Sequence, residues 1–351
     1  MLLGLHVMAN DNIRYAKSDM HAQTIPKGQI NLSLEYDLLN DTVDILNLKQ
    51  SELASISNIG AIGDLKGYGL KLRYGITQDF MISFEHSRQD LSYLSSTMTN
   101  KKDEIYTRYN LVQSDYTIFN NGFALDVGYI RDRLDDFKIT DINSMNNLIA
   151  KFRDYQDVKL AYNSRRKKYS FTVGSSGPYI LNQTPYASLE NGGDDSLYLR
   201  GLIGFHKQKH TVDFFLGYKY TKITNRINTT DEIVKYALDK NKPNPRQNLD
   251  RNEGMVFAGF NYSLDMSDVI YEIGYQYDRL FRDAGLDYIN YNHIINASIS
   301  YALTRNLLLS VGAKAMYRQF NGVVPYMYNK YTQTSFDHKY GYANVGFTYI
   351  F

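Results

Sequence analysis

Charged side chains in this chain recur at alternate positions inside stretches that are otherwise apolar. Lys71 and Arg73 interleave with Tyr68, Leu70, Leu72 and Tyr74, and Asp213 and Lys219 interleave with Val212, Phe214, Leu216, Tyr218 and Tyr220. The same spacing picks out Glu35, Glu85, Arg108, Asp126, Asp157, Lys159, Arg200, Glu272, Lys314 and Arg318, with Gln276, Asn290, Asn292 and Asn296 as polar companions. Charges of both signs cannot rest against a dry interior unless they pair. The set therefore implies either a water-filled conduit or ion pairs crossing an interior. Its basic members slightly outnumber the acidic ones, which points to a weak anion preference. A register shift of one residue would reverse several of these positions.

Residues for catalysis or cofactor binding are not arranged in a recognisable way. His86, His206, His210, His293 and His338 stand in no nucleophile or metal motif, and His206 and His210 flank what reads as a short basic turn. The run Glu190, Asn191, Gly192, Gly193, Asp194, Asp195 offers carboxylate ligands, but its spacing fits no calcium loop and it reads as a solvated connection. No enzyme activity, cofactor or metal is expected.

The elements that would carry the alternating charges are strands, since a period of two puts alternate side chains on opposite faces. Ile30, Leu32, Leu34 and Tyr36 open the pattern against Asn31, Ser33, Glu35 and Asp37. It returns around residues 68–74, 80–85, 105–111, 123–129, 152–162, 169–173, 197–205, 212–220, 256–262, 269–277, 291–301, 307–317 and 342–351. That makes about fourteen strands, an even number. Short turns, such as residues 75–79, 120–122 and 304–306, alternate with long polar connections, such as 39–65, 86–104 and 222–253, and the short ones all fall on one side. A short helix is expected at residues 231–238, where Thr230 can cap it.

Composition agrees with strands that meet lipid. The 351 residues are 43% hydrophobic and include 32 Tyr, 17 Phe, no Trp and no Cys. Mean hydropathy is −0.42, and no apolar run approaches the ~20 residues of a membrane helix. Tyrosines close many of the apolar stripes (Tyr36, Tyr74, Tyr129, Tyr162, Tyr220, Tyr277, Tyr301, Tyr317). A phenol can rest its ring in acyl chains and its hydroxyl at headgroups. A soluble β-sandwich core would be richer in Val, Ile and Leu. The net charge of +2 gives no reason to expect a nucleic-acid partner.

In the last fourteen residues, His338 to Phe351, the faces separate into Ala343, Val345, Phe347, Tyr349, Phe351 and Tyr342, Asn344, Gly346, Thr348, Ile350. This stretch resembles the closing strand of bacterial outer-membrane β-barrels. The resemblance implies an all-β, antiparallel, up-and-down transmembrane barrel with periplasmic termini and long extracellular loops, in the outer membrane of a Gram-negative bacterium. It implies that Phe347, Tyr349 and Phe351 form the mark read by the barrel-assembly machinery, and that membrane lipid, lipopolysaccharide and small solutes or ions are partners. Residues 1–27 then read as a signal-peptide remnant and a lead-in, flexible or tucked into the lumen, and residues 28–351 as the barrel. The expected function is passive diffusion of ions and small hydrophilic solutes. A fatty-acid-type transporter, or an adhesin acting through its outer loops, is the alternative.

Overall fold

The computed structural model describes residues 19–40, 63–93, 96–112, 122–135, 137–139, 187–229, 246–266, 268–282, 286, 289–329 and 339–351. Fourteen strands follow in chain order: β1 (Ile30–Leu39), β2 (Leu65–Gly75), β3 (Phe80–Tyr93), β4 (Ser96–Val112), β5 (Phe123–Leu134), β6 (Phe137–Ile139), β7 (Ala187–Lys207), β8 (His210–Thr229), β9 (Arg246–Asn248), β10 (Arg251–Met266), β11 (Val269–Phe281), β12 (Tyr291–Ala302), β13 (Leu307–Met316) and β14 (Tyr340–Ile350). β6 and β9 have only three residues and extend the edges of β7 and β8. The remaining twelve pair antiparallel with their neighbours, and β1 joins β14 from Asn31↔Ile350 to Leu38↔Ala343, so the barrel closes with 12 strands. Closure leaves no exposed edge.

The count is lower than the sequence suggested. β5 pairs directly with β7, Asp126 opposite Arg200, so no hairpin from residues 152–173 stands between them in the wall. That stretch, with Asp157 and Lys159, and the helix expected at residues 231–238 lie outside the described residues. The connection expected at residues 86–104 is instead strand. β3 and β4 continue pairing from Glu85↔Glu104 to Tyr93↔Ser96. The acidic run at residues 190–195 is likewise part of β7, interrupted by a register shift between Glu190 and Gly193 where Asn191 adopts φ 51°. Both misreadings have one cause. Outside the apolar belt both faces of a strand are wet, so its backbone keeps pairing after the hydrophobic alternation ends. β7 has 21 residues, an extended length of about 70 Å, far more than a ~25 Å apolar band requires.

The barrel is inside out relative to a soluble protein. Leu34, Leu72, Val127, Leu199, Leu216, Ile273, Ile299 and Val311 are all exposed on the outer wall, Leu216 at 62%, while Asn31, Arg108, Asp126, Asp213, Asn261 and Asp278 are buried within. An apolar surface of this extent is stable only against lipid. Tyr36, Tyr68, Tyr74, Tyr129, Tyr220, Tyr301 and Tyr349 are exposed at the ends of the stripes. The start of β1 and the C-terminus share one rim, where the Phe351 N–H donates to the Ile30 carbonyl at 2.9 Å.

Candidate lumen site

The interior is organised around a cross-strand triad. Register places Arg108 of β4 opposite Asp126 of β5, and Asp126 opposite Arg200 of β7. Arg108 Nε donates to Asp126 Oδ1 at 2.7 Å and Arg200 Nη2 to Oδ2 at 2.6 Å, with Asp126 fully buried. Other N–H groups of these arginines point into the lumen and donate to the N-terminal segment, mostly to its main-chain carbonyls, while Arg200 Nη1 meets the Met20 sulfur at 3.2 Å. Arg108 takes His21 and Gln23, the latter at 3.1 Å, and Asp19 at 2.6 Å. Residues 19–27 thus run through the lumen near the terminal rim, and the irregular backbone finds its hydrogen bonds on the wall.

The rest of that segment is tied as closely. His21 Nδ1 donates to Asp213 Oδ2 at 2.6 Å and its Nε2 to Glu272 Oε1 at 2.8 Å. Donation from both nitrogens requires the imidazolium. Burial opposes that charge, but hydrogen bonds and attraction from Asp213 and Glu272 outweigh it and raise the His21 pKa above 6.5. Ala22 N–H donates to Asp213 Oδ1 at 2.9 Å, and Thr24 Oγ1 to the Gln78 carbonyl at 2.6 Å. The Asp19 carboxylate meets Lys71, lies 3.7 Å from Arg73, and accepts from Tyr106 at 2.8 Å. Ala22 and Ile25 pack on an apolar cluster that includes Leu202, Phe215, Met255 and Phe257.

A second constriction descends from the opposite rim. The connection after β13 folds inward through residues 317–329 with a 3-10 turn at Pro325–Met327. Gly322, at φ +79°, lets the chain reverse there, and its carbonyl accepts from Lys219 Nζ at 2.7 Å. Tyr326 is fully buried; its hydroxyl donates to Asn100 Oδ1 at 2.9 Å and its N–H to Asp194 Oδ2 at 3.1 Å. The guanidinium of Arg282 lies 3.9 Å over the Tyr328 ring.

Between this roof and the N-terminal floor lie two adjoining cavities of about 390 and 430 Å³ that share Asp19, Glu35, Lys102, Asn296, Lys314 and Val323. Lys71, Arg73, Glu85 and Glu272 line the first, and Arg200, Lys219 and Gln276 the second. Lys71 bridges Glu85 at 3.0 Å. Arg318 is placed differently from the expectation. β13 ends at Met316, and the Arg318 guanidinium stacks 4.3 Å from the ring of Tyr317, whose side chain is exposed on the outer wall. Asn290 sits near the strand ends, accepting from Arg279. Sequence reasoning put Asp37 on the inward face without counting it in the lumen set, and it missed Lys102, Glu104, Asp132 and Asp278, because it stopped at the last apolar residue of each stripe. Their parity, continued two residues further, marks them as inward. Among the described residues no cluster offers three metal ligands.

A closed barrel, apolar without and charged within, has the architecture of a transmembrane β-barrel. No protein-family model and no curated protein matches the chain. Among solved structures, the chain is similar to the β domain of the Bordetella autotransporter BrkA (9% identity, 92% of this chain and 98% of that one, TM-score 0.46). It is also similar to the translocator domain of NalP from Neisseria meningitidis (8% identity, 92% and 88%, TM-score 0.45) and an outer-membrane channel from Pseudomonas putida F1 (9% identity, 95% and 99%, TM-score 0.45). The class rests on the barrel's own closure and polarity.

Proposed function

We propose that this barrel is a channel of the Gram-negative outer membrane through which ions and small hydrophilic solutes diffuse. The pair of charged cavities between floor and roof supports this reading, because mixed charges in such number are tolerable only beside water or in pairs. The two constrictions make it a narrow channel, not a wide general pore. An N-terminal segment in the lumen and the apolar cluster beside it favour a second reading, a route for hydrophobic solutes. Against it, that cluster is already filled by Ala22 and Ile25.

Swelling of liposomes carrying the folded protein separates the two. Monosaccharide- and amino-acid-sized solutes are expected to enter and oligosaccharides to be excluded. If the inserted barrel admits no solute faster than protein-free liposomes, the channel reading fails; if it admits only a medium-chain fatty acid, the second reading replaces it.

A further inference from the structure

The charges lining the two cavities do not balance. Lys71 is paired with Asp19 and Glu85, Lys102 with Glu104 at 2.7 Å, Arg200 with Asp126, and Lys219 is engaged by the Gly322 carbonyl. Four carboxylates, Glu35, Asp37, Asp132 and Asp278, accept from amides, those of Asn344, Gln89, Asn100 and Gln276 respectively, with Glu35 and Asp37 also beside each other, and none has a cation within 4.0 Å among the described residues. Among the described residues, two ammoniums on these walls have no ion pair: Lys219, held by the Gly322 carbonyl, and Lys314, which reaches both cavities.

Two of these carboxylates show what they lack. Asp278 is 1% exposed and Asp37 9%, and each keeps one buried oxygen, Asp278 Oδ2 and Asp37 Oδ1, without a hydrogen-bond donor while its other oxygen is satisfied. Asp278 lines the larger cavity and Asp37 the smaller one. A buried carboxylate oxygen left without a donor is destabilising, and a donor that enters with the solute relieves it. Anions gain little here: the two ammoniums without an ion pair are outnumbered by the four carboxylates around them.

We propose that the chamber is a binding site for small organic cations, solutes bearing ammonium or guanidinium groups, held by Asp37 and Asp278 with Glu35 and Asp132 adding charge. The proposal rests on the channel reading only for how the solute arrives. It replaces the anion preference expected from the sequence, since the paired arginines and lysines no longer attract.

The test is calorimetric titration of the detergent-folded full chain with putrescine at low salt, and with succinate, a dianion of similar length, as the counterpart. Putrescine is expected to bind and succinate not to. Asp37→Asn and Asp278→Asn should each weaken putrescine binding about fivefold or more, and Lys314→Gln should tighten it by a similar factor. Absence of putrescine binding, equal binding of succinate, or affinities unchanged in the variants would overturn the proposal. Among the described residues Lys314 makes no hydrogen bond or ion pair for Lys314→Gln to remove, so this variant keeps the test decisive where an aspartate variant fails to fold. Solute entry without putrescine binding removes this proposal alone, and binding without any solute entry removes the channel reading alone.

Discussion

Replacing His21 by Ala should release the lumen floor without opening the barrel wall. His21 is 5% exposed and makes two charged contacts, 2.6 Å to Asp213 and 2.8 Å to Glu272. Breaking a buried ion pair by removing one partner costs about 3–5 kcal/mol. The lower figure applies, because water in the lumen can reach the two carboxylates once the ring is gone. About 3 kcal/mol shifts the docked-to-released equilibrium of residues 19–27 by roughly a hundredfold. Strand pairing does not involve these residues, so the folded barrel remains. The chain has no cysteine, which allows Ala22→Cys, at a fully buried position, to report on release through labelling by a water-soluble maleimide. In the His21 background the thiol should be protected, and in His21→Ala it should react roughly a hundred times faster while channel conductance rises. Equal labelling rates and equal currents would refute the view that this histidine holds the floor in place.

The same contact predicts a pH dependence. A folded-state pKa raised above the ordinary 6.5 means that the stabilisation is complete below that pH and is lost as pH climbs through the raised value. Conductance should therefore increase on the alkaline side, and His21→Ala should abolish the change. Asp126→Ala leaves the buried guanidiniums of Arg108 and Arg200 facing each other. It should lower barrel stability by about 3–5 kcal/mol, read as a fall in the temperature at which the folded band on a semi-native gel disappears. Phe351 is 65% exposed and adds one main-chain hydrogen bond to the rim. If it belongs to the mark read by the assembly machinery, its deletion will deplete the barrel from cell envelopes while detergent refolding of the purified chain persists.

The wall was legible in the sequence because lipid enforces strict alternation on its outer face. Leu70, Leu72 and Tyr74 against Lys71 and Arg73 can be read without any knowledge of their neighbours. The positions that alternation missed have a physical reason. Lys102, Asp132 and Asp278 lie beyond the belt, where the outward residues, such as Lys101, Asp103 and Arg133, are polar as well, so parity loses its contrast. Register supplies what spacing could not. That Arg108, Asp126 and Arg200 form one triad depends on three strands far apart in sequence aligning at one level. The lumen contents left fainter traces: the run Gly322, Val323, Val324, Pro325, Tyr326, Met327, Tyr328 is too apolar for a solvated loop, and it is the roof.

Single-channel recording tests the central claim most directly. The full-length chain, folded in detergent and inserted into a planar bilayer with unequal potassium chloride on the two sides, should give stable, ohmic steps. The reversal potential should favour the cation, as the four unpaired carboxylates require. A folded, inserted barrel that passes no current at any voltage would contradict the account of the lumen as a conduit.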